Sequence, residues 1–358
     1  MAVFDGDKFT ETMMKMDEEH EKRILEITRK ALKKSGQEDL YEDYVKEREK
    51  RYGLKIKDNL KIKDGICGLA VGDALGVPVE FRSRRYMIEN PVTGMIGHGT
   101  YDQPKGTWSD DTSLTLATMQ SIVNKRAIDL EDIMNEFLLY VRESKYCQYE
   151  VFDYGNTTIG AIEKFEAGFP VSECGGKSEG NNGNGSLMRI LPLAFIPDVT
   201  YDEIENVSAI THAHPKSRIS CVLYIEIAKS MLEYDLEISE HISRSCEKIQ
   251  RYYEGSNDLM DFEAIFKNDY HVLEGRSYVI KTLEAVLYCL LQTDNYKDAV
   301  LKAVNLGRDT DTVAAITGGL AGIYYGYDDI PQEWIRDIPQ MDYIFKLCDD
   351  YEEFCLEN

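Results

Sequence analysis

The chain has 358 residues, of which 43% are apolar and 10% aromatic, so it can fill the core of one large domain or two ordinary ones. Its 64 acidic residues outnumber 41 basic ones, and the formal net charge of −23 opposes binding to nucleic acid or an anionic membrane through a broad basic surface. The same charge suits a protein that concentrates cations.

The eight cysteines are scattered and form no CxxC pair. A chain of this length does not need disulfides, so we expect reduced thiols in a cytoplasmic protein. The acidic N-terminal stretch "MAVFDGDKF" lacks the apolar segment of a signal peptide, and no segment approaches the 18 apolar residues of a membrane span. We therefore predict a cytoplasmic location and no membrane partner.

Residues 1–57 differ in composition from the rest of the chain. They are densely charged, and their apolar residues recur at helical spacing, which predicts two charged helices broken near "KKSGQ". A solvated extension that packs one thin apolar stripe is the main interpretation, and a specific partner-binding role is the alternative. We predict a charged helical extension over 1–57 and a separate domain over 58–358.

Helical patterns dominate from residue 58 onward, whereas alternating strand-like runs are scarce. Two glycine-rich loops, 94–108 and 175–186, interrupt the helical pattern. The pattern predicts an all-α globular domain. The predicted helices span 60–75, 111–124, 129–142, 156–167, 202–211, 216–233, 238–253, 277–292, 296–306 and 311–325.

The first segment that contains candidate functional residues is "GICGLAVGDALGVPVEF", residues 65–81. Asp73 lies within an apolar helical face, Pro78 ends the helix, and Glu80 follows on a loop. We interpret Asp73 mainly as a structural hydrogen-bond acceptor, because buried polar groups are normally paired. Glu80 is open to two interpretations, an exposed surface acid or a site residue.

Two clusters of aspartate and hydroxyl residues each precede a helix, in "GTWSDDT" and in "LGRDTDTVAA". Either cluster alone is explained by helix capping, since Asp and Ser are good N-caps and acids favour the first turn. The repeated layout favours a metal site, because hard divalent cations take carboxylate and hydroxyl oxygens. The candidate metal ligands are Ser109, Asp110, Asp111, Asp309, Asp311 and Thr312.

The helix behind the second cluster is rich in small residues, in "VAAITGGLAG". Small residues allow helices to approach closely, which would let the two aspartate clusters meet. The pattern also occurs in ordinary cores. Arg308 is excluded as a ligand because a cation does not coordinate a metal.

The stretch "SEGNNGNGSLMRILPLAF", residues 178–195, combines glycine and asparagine before an apolar run that we predict to be helical. Such a loop either connects flexibly or wraps a diphosphate with its backbone amides. It matches neither a Walker A loop nor the GxGxxG fingerprint. In "THAHP", His212 and His214 lack a third zinc ligand at useful spacing, so substrate contact or packing is expected.

Taken in order, five segments resemble the ADP-ribosylglycohydrolase family, including the bacterial dinitrogenase-reductase-activating glycohydrolases. They span about residues 60–326 and read "GLAVGDALGVPVEF", "GTWSDDT", "GNGSLMRILPL", "THAHP" and "LGRDTDTVAAITGGLAG". The resemblance implies a compact orthogonal bundle of helices and two Mg²⁺ or Mn²⁺ ions on the six candidate ligands. Ser109 stands where many members have threonine, and both residues offer a hydroxyl oxygen.

The resemblance also implies roles for the other singled-out residues. Glu80 matches a mobile loop glutamate near the metals, and His212 matches a histidine near the ribose–diphosphate part of the ligand. The residues that match the ADP-ribose loop are Gly183, Asn184, Gly185 and Ser186.

The implied reaction cleaves the N- or O-glycosidic bond between ADP-ribose and an acceptor, releasing ADP-ribose. We expect Asp110 or Asp111 to orient or deprotonate the attacking water and Glu80 to act as a gate or second acid/base. Bound metal ions would lower the pKa of that water. The expected partner is an ADP-ribosylated protein or a small ADP-ribose conjugate, and the expected state is a monomer.

Two other functions remain open from the sequence. Aspartate clusters with Mg²⁺ also serve phosphoryl transfer, so a nucleotide phosphohydrolase is one alternative. A non-catalytic ADP-ribose-binding module is the other. Release of inorganic phosphate would identify the first, and ligand binding without turnover would identify the second.

Overall fold

The computed structural model describes residues 60–272 and 274–357, so the predicted extension over 1–57 lies outside the described residues. Except for residues 233–235, the described residues belong to one compact unit. Within that part of the chain no β-strand occurs and only isolated bridges are found, which confirms the predicted all-α class. None of the helices described there combines the length and apolarity that crossing a membrane requires.

Fifteen α-helices occur in the described residues, together with short 3₁₀ helices. They are α1 Ile62–Gly76, α2 Arg84–Glu89, α3 Asp110–Lys125, α4 Leu130–Glu143, α5 Asn156–Glu166, α6 Val171–Cys174, α7 Tyr201–Ala209, α8 Pro215–Glu233, α9 Ile238–Tyr252, α10 Glu263–Phe266, α11 Val279–Leu291, α12 Tyr296–Val304, α13 Thr310–Tyr325, α14 Gln332–Asp337 and α15 Met341–Glu357. The 3₁₀ helices are Val77–Val79, Glu179–Asn181, Leu191–Phe195, Asn257–Phe262 and Tyr327–Asp329.

Ten of these α-helices match the ten predicted segments, with ends that differ by at most two residues. The predictions missed α15, although Ile344, Leu347, Cys348 and Tyr351 are buried at helical spacing along it. They also missed α2, α6, α10 and α14, which have only four to six residues each. Such short helices do not contain enough turns for a periodic pattern to show.

Helices α1 and α13 form the centre of the fold and pack against each other along their length. A Cβ atom on Gly68 would lie 2.3 Å from the Gly318 carbonyl oxygen, and a Cβ on Gly318 would lie 2.2 Å from the Gly68 carbonyl oxygen. A Cβ on Gly72 would lie 2.1 Å from the Ala314 carbonyl oxygen. The close helix approach predicted from the small residues is therefore confirmed.

The close approach brings three helix ends together. A Cβ on Gly76, the last residue of α1, would lie 2.3 Å from the Cα atom of Asp311 in the first turn of α13. Thr310 also donates from its hydroxyl to the Gly76 carbonyl over 2.8 Å. The N-terminus of α3 reaches the same point, where its backbone donates to Asp73 of α1.

The expected helix after the glycine–asparagine loop is absent from the structure. Residues 185–189 form turns, and Leu191–Phe195 is a 3₁₀ helix with Pro192 in its first turn. Proline supplies no backbone N–H for an α-helix, and its ring restricts the preceding residue. No helix dipole therefore supports this loop.

Candidate active site

Carboxylates from all three helix ends converge in a buried cluster. One carboxylate oxygen each from Asp73, Asp111 and Asp311 lie within 4.8 Å of one another. A second group with the same spacing consists of Glu80, Asp309 and Asp311. Asp311 belongs to both groups, so the structure holds two adjoining acidic positions that share one side chain.

Asp73 acts as a cap for α3. Its two oxygens accept hydrogen bonds from the Ser109 N–H over 2.9 and 3.1 Å, and from the N–H and hydroxyl of Thr112 over 3.0 and 2.6 Å. These contacts confirm the interpretation of Asp73 as a structural acceptor. Burial raises its pKa to about 6, while the hydrogen bonds act in the opposite direction.

Asp111 has a different environment, because its two carboxylate oxygens differ in their hydrogen bonds. Oδ2 accepts hydrogen bonds from the Ser109 hydroxyl over 2.9 Å and from the Thr312 hydroxyl over 3.2 Å. Oδ1 is buried and has no hydrogen-bond partner among the described residues. An unpaired buried carboxylate oxygen is unfavourable, and a bound cation removes that cost.

The negative charges of the cluster repel one another. Burial, then the charges of Asp73, Asp110 and Asp309, raises the pKa of Asp111 well above its ordinary value. Burial, then the charges of Glu80, Asp111 and Asp309, does the same to the pKa of Asp311. Only a cation would allow these groups to ionise together, so the oxygen-rich cluster fits a hard divalent metal.

Asp110, a predicted ligand and catalytic residue, belongs to neither group of three carboxylates. Its carboxylate is buried, and burial raises its pKa, with further contributions from the negative charges of Asp153, Asp73 and Glu80. The nearby Gly155 N–H favours the charged form and so acts to lower that pKa. Asp110 is thus electrostatically coupled to the acidic cluster without belonging to either group of three carboxylates.

Glu80 follows the 3₁₀ turn Val77–Val79 and is buried, which excludes the interpretation as an exposed surface acid. Its Oε2 accepts from the Tyr101 hydroxyl over 2.5 Å, and its carbonyl accepts from the Thr100 hydroxyl over 2.7 Å. Burial, with the charges of Asp153 and Asp309, raises its pKa to about 8. The loop that carries Glu80 is thus held by residues 100 and 101.

Asp153 and Tyr101 are site residues that the sequence patterns did not single out. The Tyr101 hydroxyl interacts with the carboxylates of both Glu80 and Asp153. Burial, together with the charge of Asp309, raises the pKa of Asp153 to about 6. The only sequence signal was an acid just before a helix, in "VFDYGN", which many surface loops share.

The glycine–asparagine loop is joined directly to the acidic cluster. Asn184 donates from Nδ2 to Asp309 Oδ2 over 2.9 Å, and its backbone N–H donates to the Ser277 carbonyl over 2.9 Å. Gly183 forms an isolated bridge with Tyr278. These contacts fix the loop beside the candidate metal site.

His212 lies beneath the same loop. A Cβ on Gly185 would lie 2.9 Å from its ring, and a Cβ on Gly183 would lie 3.6 Å from its Nε2. Burial and the nearby Arg189 lower the pKa of His212 to about 3, so its ring is neutral at physiological pH. The Ser186 hydroxyl is also buried and accepts from Ser208 over 2.9 Å.

The remaining polar residues of these motifs have partners outside the cluster. Nε2 of His214 lies 3.2 Å from a carboxylate oxygen of Glu179, whereas the His212 side chain is buried. Nε of Arg308 pairs with Glu274 over 2.9 Å. Its guanidinium group therefore has a carboxylate partner of its own.

The all-α fold holds a buried carboxylate cluster beside a glycine–asparagine loop, and similarity to known hydrolases gives its class. The chain belongs to the ADP-ribosylglycohydrolase family, whose family model matches residues 56–357.

Relatives and a solved structure extend over most of the chain. The ADP-ribosylarginine hydrolase Tri1 of Serratia proteamaculans is 30% identical over 297 residues, covering 81% of this chain and 78% of that protein. The ADP-ribosyl-[dinitrogen reductase] glycohydrolase of Rhodospirillum rubrum is 31% identical over 281 residues, covering 76% and 87%. A solved structure titled "ADP-ribosylglycohydrolase-related protein complex" superposes with a TM-score of 0.68 at 28% identity, covering 83% of this chain and 98% of that one.

Proposed function

We propose that this protein hydrolyses the glycosidic bond between ADP-ribose and the guanidinium group of an arginine side chain, in a protein or a small conjugate. One observation carries the proposal: the hydrogen bond of 2.9 Å between Asn184 and Asp309 joins the candidate ADP-ribose loop to the acidic cluster. Arginine as the acceptor is supported by the name of the Serratia relative, an ADP-ribosylarginine hydrolase.

The acidic cluster would hold two Mg²⁺ or Mn²⁺ ions. The residues proposed as ligands are Ser109, Asp110, Asp111, Asp309, Asp311 and Thr312. Support comes from the shared position of Asp311 in two carboxylate groups and from the unpaired Oδ1 of Asp111. When bound, such ions polarise oxygen atoms and make a coordinated water more acidic.

Different side chains of the protein would then carry out the two proton transfers of the reaction. Water adds to the anomeric carbon as its bond to the acceptor nitrogen breaks. Asp110 or Asp111 orients the water and takes its proton, and Glu80 delivers a proton to the departing nitrogen. The position of Glu80 between Tyr101 and the pair Asp309 and Asp311 supports this second role.

The loop over residues 183–186 would bind the diphosphate and ribose of the ligand. Gly183 and Gly185 leave their backbone uncovered by a side chain, while Asn184 and the buried Ser186 fix the loop from beneath. His212 supports this loop as a neutral packing group. We also propose a cytoplasmic monomer, and the eight free cysteines support a reducing compartment.

The test is an assay of defined ADP-ribosylarginine with Mg²⁺ and with Mn²⁺, in which the products are separated by chromatography. We expect free ADP-ribose and intact arginine. The double variant Asp110→Asn/Asp111→Asn should lose activity by at least about a thousandfold. The matched control replaces another adjacent pair, Asp349 and Asp350, which lies on the surface of α15 and should leave activity unchanged.

Two results would favour the alternative functions. Release of inorganic phosphate or of a nucleoside monophosphate would indicate a phosphohydrolase. Binding of ADP-ribose without turnover of ADP-ribosylated arginine, serine or small conjugates would indicate a binding module. Full activity in the Asp110 and Asp111 double variant would contradict the roles assigned to those residues.

A further inference from the structure

Phe81 is 64% exposed, although Glu80, the residue before it, is buried. Its φ angle of 64° lies in the left-handed region, which is unfavourable for a residue with a bulky side chain. Nearby structure must hold such a conformation in place, and conformations of this kind concentrate at ligand sites. The exposed ring therefore requires an explanation other than core packing.

Backbone contacts with the loop before α13 hold Phe81 in this conformation. The Phe81 N–H donates to the Arg308 carbonyl over 2.6 Å, and the Arg308 N–H donates to the Arg82 carbonyl over 2.6 Å. Gly307 allows the two loops to meet, since a Cβ there would lie 2.8 Å from the Arg82 carbonyl oxygen. Phe81 is thus tied to the segment that supplies Asp309 and Asp311.

Three aromatic rings adjoin one another beside the cluster, and we name them the aromatic shelf: Phe81, Tyr101 and Phe152. The Phe81 and Tyr101 ring centroids are 6.2 Å apart, and those of Tyr101 and Phe152 are 4.9 Å apart. The hydroxyl of Tyr101, the middle ring, donates to Glu80. The Phe81 ring is exposed and the other two are half-buried, so a group beside Glu80 has aromatic surface next to it.

The charges around the shelf favour a cationic occupant. Glu80 and Asp153 both interact with the hydroxyl of Tyr101, the middle ring. The two arginines whose backbone joins Phe81 to the loop before α13 have side chains engaged elsewhere, since Arg82 lies over the Tyr86 ring at 5.2 Å and Arg308 pairs with Glu274. Aromatic faces and carboxylates together recognise a planar cation, and guanidinium stacks on rings in a way that an ammonium group does not.

We propose that the aromatic shelf is the acceptor subsite, on which the guanidinium group of the modified arginine lies with its plane against the Phe81 ring. The inference rests on the proposed function and deepens it, because it assigns acceptor specificity to a named residue. Phe81 acts there as a specificity-determining residue. The ADP-ribose part of the substrate contacts the separate loop over residues 183–186.

The first test measures binding without turnover. Agmatine, which carries a guanidinium group, and putrescine, which carries an ammonium group at the same place, are titrated by NMR into the full-length protein with Mg²⁺ and saturating ADP-ribose. We expect Phe81→Ala to weaken agmatine binding by about fivefold or more and putrescine binding by less than about twofold. Phe81→Trp should retain agmatine binding, and Ile88→Ala, another exposed apolar residue, should have no effect.

The second test compares two substrates that differ only in the acceptor. Phe81→Ala should lower kcat/KM for ADP-ribosylarginine by about fivefold, mainly through KM, and leave ADP-ribosylserine within about twofold. Equal losses for both substrates, or unchanged agmatine binding in Phe81→Ala, would overturn the inference. Wild-type protein that binds agmatine through Phe81 but releases no ADP-ribose would contradict the proposed function and support the subsite.

Discussion

Asp73 and Asp111 are both buried aspartates near the start of α3, but their oxygens are satisfied in different ways. Asp73 accepts hydrogen bonds from three donors, the Ser109 N–H and the N–H and hydroxyl of Thr112, whereas Oδ1 of Asp111 has no hydrogen-bond partner in the described part of the chain. Hydrogen bonds to a carboxylate stabilise a fold, while an unpaired buried carboxylate destabilises it until a cation binds. The two residues should therefore respond oppositely to the same substitution.

We predict that Asp73→Asn lowers the free energy of unfolding in EDTA by about 2–3 kcal/mol, because an amide replaces a charged acceptor of backbone N–H groups. Asp111→Asn should leave that free energy unchanged or raise it, since it removes one of several repelling charges. Urea titrations at pH 7.5 measure both values. A larger loss of unfolding free energy in Asp111→Asn than in Asp73→Asn would contradict these opposite roles of the two aspartates.

We predict that His212 makes the protein less stable in acid. Its pKa is about 3 in the folded protein and about 6.5 when unfolded, so the unfolded state binds more protons between these values. The stability contributed by the neutral ring is fully present above pH 6.5 and is lost progressively toward pH 3. At pH 5 the loss from this residue should be about 2 kcal/mol relative to pH 7.5.

The variant His212→Asn isolates this effect from the titration of the carboxylates. The difference in unfolding free energy between wild type and variant should shrink by about 2 kcal/mol from pH 7.5 to pH 5. Denaturant titrations at both pH values in EDTA give the difference. A difference that is independent of pH would show that His212 does not resist protonation in the folded state.

At the scale of single elements, the crossing of α1 and α13 sets the position of the site. Gly68, Gly72 and Gly76 lie along one face of α1, and each would place a Cβ within 2.4 Å of the backbone of α13. The helices therefore meet through backbone atoms, and no flexible side chain between them can adjust. A small change in their separation moves Asp311 directly.

We predict that Gly72→Ala destabilises the protein by about 3 kcal/mol or more, because the new Cβ collides with the Ala314 carbonyl. The matched control is Gly160→Ala in α5, where a Cβ would contact nothing within 4 Å. That control should stabilise the protein by about 0.5–1 kcal/mol through helix propensity. Thermal unfolding and the hydrolysis assay check both variants, and a Gly72→Ala protein as stable as wild type would refute the close approach.

Whether a site residue can be predicted from the sequence depends on the helix or loop that carries it. Asp111 and Asp311 were predicted because the same layout of aspartate and hydroxyl residues occurs before two helices, which helix capping alone does not require. Asp153 and Tyr101 lie in loops whose shape depends on contacts with Glu80, and a lone acid or tyrosine in a loop carries no periodic signal. The glycine–asparagine loop was recognised, but Pro192 prevents the α-helix expected after it.

For the whole molecule, a net charge of −23 and a buried acidic cluster mean that a bound divalent cation would relieve charge repulsion and stabilise the fold. We predict that removing divalent metal with EDTA lowers Tm and that Mg²⁺ or Mn²⁺ restores it. A ligand at a hundred times its Kd stabilises the native state by about 2.7 kcal/mol, which corresponds to several degrees in a protein of this size.

The control for this prediction separates specific binding from screening. NaCl at equal ionic strength should raise Tm much less than Mg²⁺, and the variant Asp111→Asn/Asp311→Asn should lose the Mg²⁺ response. Differential scanning calorimetry measures both. An equal Mg²⁺ response in wild type and double variant would place the stabilising metal outside the proposed cluster.

The pairing of α1 with α13 has a consequence for the synthesis of the protein. The chain emerges from the ribosome in order, and α1 leaves about 240 residues before the helix that covers its glycine face. Until Thr310–Tyr325 is available, the apolar face of α1 lacks its main partner and the two acidic segments remain apart. The complete acidic cluster therefore forms only late in translation, and a chain whose central helix pair joins such distant segments depends on a slow long-range contact to fold.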